Sequence, residues 1–346
     1  MGLFACVSAF EAEEDGAGQG ATSVSADISA PASASAILAS DQHRPVDLVV
    51  DATHVYWTTY APSGDRAPFD RRHDVLRVAK SGGPIETLAK DQKDLVGLTL
   101  DASHVYWLAR TGECTAGAPT GVARRAPKAG GAAESIANRL PCGSPSANTQ
   151  AVVDGTHLYW SGDDGIRAVA KTGGTPALVA SAGPNPNAST RSTVLLLQDE
   201  TTVYWGDSYG PLWAQPKAGG EKVKLLDASP WHAAVDATAI YYAANGKVMS
   251  VAKTGGAPRE LGPSGGRGEE AFAVDAGYVY WTDIVDSQIR RLPKRGDVSA
   301  ETLVAGERAF GLSVDATGMY YPAYGREIGG MIPDYIAKSG YIRRRP

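Results

Sequence analysis

The sequence predicts an all-β chain, a ring of seven four-stranded units with six as the alternative count, and three observations predict it. A heptad, DATHVYW at Asp51 to Trp57, returns as DASHVYW from Asp101, DGTHLYW from Asp154, DETTVYW from Asp199, DATAIYY from Asp236, DAGYVYW from Asp275 and DATGMYY from Asp315. Each copy is followed by a second mark: Lys80-Ser-Gly-Gly, Lys128-Ala-Gly-Gly, Lys171-Thr-Gly-Gly, Lys217-Ala-Gly-Gly, Lys253-Thr-Gly-Gly, then the weaker Lys294-Arg-Gly-Asp and Lys338-Ser-Gly-Tyr. Between the marks lie short apolar runs bounded by turn residues. Tandem units of about 40 to 45 residues with four such runs are the signature of β-propeller blades.

Each unit parses in order. An apolar strand such as Leu48-Val49-Val50 leads into the Asp-x-x-x tetrad, which closes a hairpin because an aspartate side chain can bond its own turn. The Val-Tyr-Trp strand comes second. A third precedes the lysine, as at Val75 to Ala79 or Ile166 to Ala170, the paired glycines supply positive φ for the next turn, and a fourth follows, as at Ile85 to Leu88.

The aromatics support the same fold independently. Position six of the heptad is Tyr in all copies (Tyr56, Tyr106, Tyr159, Tyr204, Tyr241, Tyr280, Tyr320), and position seven is Trp57, Trp107, Trp160, Trp205 or Trp281 in five of them and tyrosine in two. Neighbouring strand residues point to opposite faces, so such a sheet is apolar on both sides and must be sandwiched. In a propeller every blade is. These side chains are therefore core, not a ligand-stacking platform.

Closure is legible too. Leu38-Ala-Ser-Asp-Gln matches Leu88-Ala-Lys-Asp-Gln, at the same interval before Asp51 as before Asp101. The N-terminal segment is thus expected to be the fourth strand of a blade whose other three come from Phe310 to Val314, Gly318 to Tyr321 and Tyr335 to Ala337. Exchange of this kind removes open edges. Ile342 to Arg345 competes for the outer position, but its arginines break the apolar alternation, and Arg343-Arg344-Arg345 reads as a solvated tail.

Upstream, residues 1–35 divide into an apolar, uncharged start and an Ala, Gly, Ser and acidic linker with little to bury, leaving 36–346 as the propeller. Leu3-Phe4-Ala5-Cys6 resembles the end of a bacterial lipoprotein signal, which implies export and makes Cys6 a lipidation candidate. No stretch is long enough to span a membrane. A formal net charge of −5 gives no electrostatic case for nucleic acid.

If the aspartate turn joins strands one and two and the lysine turn joins strands three and four, both rings lie at one end. The remaining connections open at the other, and the length variation falls there: heptad spacings run 50, 53, 45, 37, 39 and 40. Function grafted on a scaffold belongs on irregular loops. Cys114 and Cys142 fall on neighbouring loops of that face and are expected to form a disulfide, with two unpaired thiols as the alternative.

Chemistry is sparse. His54, His104 and His157 share one repeat position and are structural; His43, His73 and His232 have no Cys or Glu at ligand spacing, so a zinc site is not expected. Nucleophile elbows, P-loops and dinucleotide fingerprints are absent. Arg295-Gly296-Asp297 spells an adhesion tripeptide but occupies the lysine turn. Carboxylates on the irregular face remain as binding candidates: Asp65, Asp70, Asp74, Asp163, Asp164, Asp207, Asp283 and Asp286. Gathered at a propeller mouth, such hard oxygen ligands could hold Ca²⁺; as scattered loop acids they are merely solvated.

Tyr280-Trp281-Thr282-Asp283 followed by Ile289-Arg290-Arg291-Leu292 resembles the YWTD repeat of low-density-lipoprotein-receptor propellers and of bacterial secreted YWTD-like or TolB-like propellers. Elsewhere the series reads YWTT, YWLA, YWSG, YWGD, YYAA and YYPA, so the motif aspartate recurs only as Asp207 and Asp283. The resemblance implies the fold and little about the ligand. The expectation is a monomeric, non-enzymatic exported scaffold, periplasmic, outer-membrane-anchored or extracellular, that binds a protein or envelope glycan through the irregular face. A propeller lyase or lactonase with a carboxylate or Ca²⁺ site at the axial mouth is the alternative.

Overall fold

The computed structural model describes residues 35–61, 72–112, 119–141, 149–162, 164–181, 193–207, 210–265, 268–296, 298–324 and 340–346. After β1 (Ala36–Gln42), the first blade runs through β2 (Pro45–Val50), β3 (His54–Ala61), β4 (Arg72–Ala79) and the start of β5 (Glu86–Leu100). The far half of β5 begins the second blade, with β6 (His104–Arg110), β7 (Gly121–Pro127) and β8 (Glu134–Leu140). The third comprises β9 (Ala151–Val153), β10 (His157–Gly162), β11 (Gly165–Ala170) and β12 (Ala177–Ser181), and the fourth β13 (Thr193–Gln198), β14 (Thr202–Asp207), β15 (Leu212–Pro216) and β16 (Val223–Leu226). The fifth holds β17 (Ala233–Val235), β18 (Ala239–Ala244), β19 (Lys247–Ala252) and β20 (Arg259–Pro263). The sixth holds β21 (Glu269–Val274), β22 (Tyr278–Asp283), β23 (Gln288–Pro293) and β24 (Glu301–Ala305).

The last blade is a composite. Its first strand is split into β25 (Arg308–Ala309) and β26 (Ser313–Asp315), both on β27 (Gly318–Tyr324), which pairs with β28 (Gly340–Arg345). β1 supplies the outer strand, Ala36 opposite Arg344 and Ile37 opposite Arg343, as the matching Leu-Ala-x-Asp-Gln segments require. All strand pairs are antiparallel, and the innermost strands β2, β5, β9, β13, β17, β21 and β26 each lie beside the next, with β26 returning to β2. Among the described residues the chain is thus a seven-bladed ring.

Three expectations about this closure are corrected. The third strand is β28, whereas 335–337 lie outside the described residues. Arg343 to Arg345 are therefore strand, not tail. Ile342 is wholly buried, and the heads of Arg343 and Arg344 find partners. Arg343 pairs with Glu307 at 3.1 Å and lies over Tyr341, and Arg344 donates to the carbonyls of Lys80 and Thr317. Finally, of Lys338-Ser-Gly-Tyr the first two residues lie outside the described residues and Gly340 and Tyr341 open the third strand, so the fourth comes from β1.

The core is divided into seven seams between blades, each joining position six of one blade to position seven of the next. Tyr320 meets Trp57, Tyr56 meets Trp107, Tyr106 meets Trp160 and Tyr159 meets Trp205. Tyr204 meets Tyr242, Tyr241 meets Trp281 and Tyr280 meets Tyr321. The five heptad tryptophans are wholly buried, each contributing about 1.5 to 3 kcal/mol. Two seams repeat a further bond. Trp57 Nε1 donates to Gln42 Oε1 at 3.1 Å and Trp107 Nε1 to Gln92 Oε1 at 3.3 Å, and in both copies the preceding aspartate takes positive φ, 55° at Asp41 and 57° at Asp91.

At one end, the two sequence marks interlock. Asp51 Oδ1 accepts from the amides of Thr53 and His54, both at 2.8 Å, and Oδ2 accepts from Tyr56 Oη at 2.9 Å. Lys128 of the next blade completes the carboxylate at 2.6 Å. The same clasp joins Lys171 to Asp101 at 2.7 Å, Lys217 to Asp154 at 3.0 Å and Lys253 to Asp199 at 2.6 Å, and it also joins Lys294 to Asp236 and Lys80 to Asp315. Asp275 keeps its turn amides and the Tyr280 hydroxyl, with no lysine among the described residues. Burial by itself raises these carboxyl pKa values. Lysine and the turn amides outweigh it, so Asp154, Asp199 and Asp236 fall to about 2 and Asp51 and Asp101 lower still.

Asp51→Asn leaves the Lys128 ammonium half-buried without its charge partner and is expected to cost about 3 kcal/mol in urea denaturation. Asp275→Asn, which strands no lysine, is expected to cost about 1 kcal/mol. Because the clasp carboxylates ionise more readily folded than unfolded, their stabilisation is present above about pH 4 and is lost as pH falls toward 2. Melting temperatures across that window should fall steeply, and less so in a variant with several clasp aspartates replaced by asparagine.

Candidate functional site

Contact between an aspartate turn and the next blade's lysine turn, made by every heptad aspartate but Asp275 among the described residues, places both rings at one end and commits that end to structure. His54, His104 and His157 belong to it: each Nδ1 lies 2.8 Å from the hydroxyl of the preceding Thr or Ser, with the ring tilted on the blade's tyrosine. The opposite end carries the second-to-third strand loops and the blade-to-blade connections.

Of the sequence candidates, Asp65, Asp70, Asp163, Cys6, Cys114 and Cys142 lie outside the described residues, as does the side chain of Asp207. The remainder serve their own blades. Asp74 accepts the amide of Asp91 at 2.9 Å, holding the bend of β5, and Asp164 accepts from Arg167 Nε at 3.1 Å. Asp283, 1% exposed, caps its turn by accepting the amides of Val285 and Asp286, both at 3.0 Å, while its Oδ2 is buried without a hydrogen-bond partner. Among the described residues no three His, Cys, Asp or Glu side chains gather as metal ligands.

What the structure does bring together is a pocket of about 260 Å³ at the irregular end of the seam between the fifth and sixth blades. Trp231 and His232 come from the connection into β17, Tyr242 to Ala244 from the end of β18, and Glu269 and Phe272 from β21. Local sequence explains the space. This copy of the heptad ends in Tyr242 where five others have tryptophan, and two alanines follow. The next loop is only Asn245-Gly246, both at positive φ (54° and 74°), so little overhangs the opening. The connection is seated by Gly206, where a Cβ would meet Ser229 Oγ at 1.9 Å. Trp231 is 51% exposed, unlike every tryptophan of the heptads.

His232 sits beneath it. The ring is buried, which holds its pKa down to about 4, so it is neutral at neutral pH. Glu270 lies 3.3 Å from Nε2, and a facing carboxylate favours the proton on that nitrogen. Nδ1 is then an acceptor, buried and without a partner, as is Glu269 Oε1. Spacing could not find this pair, since His232 and Glu270 belong to different blades. The signals available were the YYAAN departure from the heptad and the charged pair Glu269-Glu270 at the head of an otherwise apolar strand.

Nearer the axis, Asp47 on β2 accepts the amide of Leu98 on the neighbouring inner strand at 3.3 Å. Gly97, at φ 67°, permits the close packing there, since a Cβ would meet Ala151 at 2.9 Å. Burial raises the Asp47 carboxyl to about 6 against those amide bonds.

No protein-family model and no curated protein sequence matches the chain. Solved structures do. Streptogramin B lyase aligns with a TM-score of 0.60 at 12% identity over 90% of this chain and 95% of that one. BamB from Moraxella catarrhalis aligns at 0.55 and 13% over 90% and 99%, and the computationally designed Ika8 protein at 0.54 and 12% over 89% and 98%. The chain is a β-propeller. At such identities the likeness shows the fold alone. No helix among the described residues is long and apolar enough to cross a membrane.

Asp47, whose folded pKa is raised, contributes stability fully present below about pH 4 and lost as pH rises through about 6. Asp47→Asn should therefore flatten the stability profile between pH 4 and 6, removing a loss of roughly 2 to 3 kcal/mol, as read from urea midpoints against pH.

Proposed function

We propose that this chain is an exported, monomeric binding scaffold, not an enzyme, that engages a protein or envelope glycan through its irregular end. One observation carries the reading: the clasp end is consumed by structure, whereas the other end presents Trp231, 51% exposed, beside a pocket with unpartnered polar atoms. Exposed aromatics over a rigid scaffold are characteristic anchors of recognition surfaces. Lipid attachment at Cys6 and a Cys114–Cys142 disulfide fit the same exported role.

Surface plasmon resonance of the full chain against purified envelope proteins and a glycan array tests it. Trp231→Ala is expected to weaken a captured ligand about tenfold, and His104→Ala, at the clasp end, to leave it unchanged. Loss confined to clasp-end substitutions would overturn the proposal.

A further inference from the structure

We propose that the pocket between the fifth and sixth blades receives an alkylammonium or guanidinium group. The inference rests on the irregular end being the ligand face and names the chemistry recognised there. It starts from charge. Glu269 stands opposite Asp283 in the β21–β22 register, and like charges directly opposed across a strand pair repel. Glu269 Oε1 and Asp283 Oδ2 are both buried without a hydrogen-bond partner among the described residues, although Asp283 Oδ1 is held by its turn amides. Glu270 and Asp286 adjoin them. The pocket lining contains no lysine or arginine.

The hydrogen-bonding capacity has the same sign. Neutral His232 with its proton on Nε2 offers Nδ1 as an acceptor, Glu269 offers Oε1, and the Ser229 hydroxyl is occupied in donating to the Pro230 carbonyl at 3.1 Å. A group that donates hydrogen bonds and carries positive charge satisfies both acceptors and relieves the opposed carboxylates. Trp231, with Tyr242 and Phe272 deeper in, supplies the aromatic surface on which an organic cation gains a cation–π attraction and its methylene stem is desolvated. That surface selects an organic cation over a bare metal ion, which would need converging oxygens.

The test is calorimetric titration of the full chain with cadaverine, agmatine and the capped tripeptide acetyl-Gly-Lys-Gly-amide, using pentanediol as the uncharged match to cadaverine. The three cations should bind at one site and pentanediol should not. Glu269→Gln, which keeps shape and removes charge, and Trp231→Ala should each weaken binding by about tenfold or more. Unchanged melting temperatures in both variants would show that the fold persists. Tighter binding of the tripeptide assigns the site to a side chain of a partner protein, and tighter binding of cadaverine to a free polyamine. Binding of pentanediol as strong as cadaverine, full binding in Glu269→Gln, or uptake of calcium ions in place of the amines would overturn the inference. If the amines fail while Trp231→Ala still releases a macromolecular ligand, only this inference falls. If they bind while ligand loss maps to the clasp end, the wider binding reading falls and the pocket stands.

Discussion

The interaction on which this ring depends is a lysine reaching across a seam to an aspartate that has already closed its own turn. Asp51 satisfies two backbone amides with one oxygen and the Tyr56 hydroxyl with the other before Lys128 arrives. A half-buried ion pair usually gains little, because desolvating the two charges offsets their attraction. Here the carboxylate is pre-organised by its hairpin, and Lys128 also donates to the Asp101 carbonyl at 2.9 Å, so both charges have hydrogen-bond partners besides each other. The clasp fixes each blade's angle to its neighbour, while the Tyr–Trp seam beneath supplies the apolar burial that holds the pair together. The hydrophobic contact gives magnitude and the polar one gives register.

Legibility follows from that division. A residue that must recur with every blade is visible by repetition, which is why the heptad, its double-sided aromatics and the strand exchange at β1 could all be read. What repetition did not disclose is that the aspartate and lysine marks touch, because the contact lies between units and the marks are separated by more than a full blade. It also misassigned β28. Three consecutive arginines resemble a tail when only alternation is considered, yet Ile342 is buried in one seam, Tyr341 packs on another and Arg343 lies over Tyr341. The candidate site was the least legible part. His232, Glu269 and Trp231 are departures from the repeat, and a departure is recognisable only against the pocket it opens.

The two ends treat charge in opposite ways. At the clasp end, carboxylates are lowered by lysine and amide donors and add to stability. At the other end, Asp47 is raised by burial, and Asp283 and Glu269 keep buried oxygens without partners. Groups of that kind cost stability, and a scaffold tied together by seven aromatic seams can carry the cost at one locality. The fifth blade is also where the repeat relaxes, with tyrosine for tryptophan, alanines after it and a two-residue turn. The space thus arises from the fifth blade and the unpartnered carboxylate oxygens from the sixth, and the two meet at one seam.

Closure shows why the ring tolerates an incomplete unit. The last blade borrows its outer strand from β1, so it has no covalent turn from third to fourth strand, and among the described residues Asp275 has no lysine. Three contacts compensate on the opposite seam. Lys80 bonds Asp315, Arg344 reaches the Lys80 carbonyl, and Gln42, carried into the last blade by β1, accepts from Trp57 of the first. The chain's two ends are therefore locked by the same clasp and the same Trp–Gln bond that join ordinary neighbours. The seam that closes the ring is thus crossed both by the chain itself, from β1 of the last blade into β2 of the first, and by the non-covalent contacts that join ordinary neighbours.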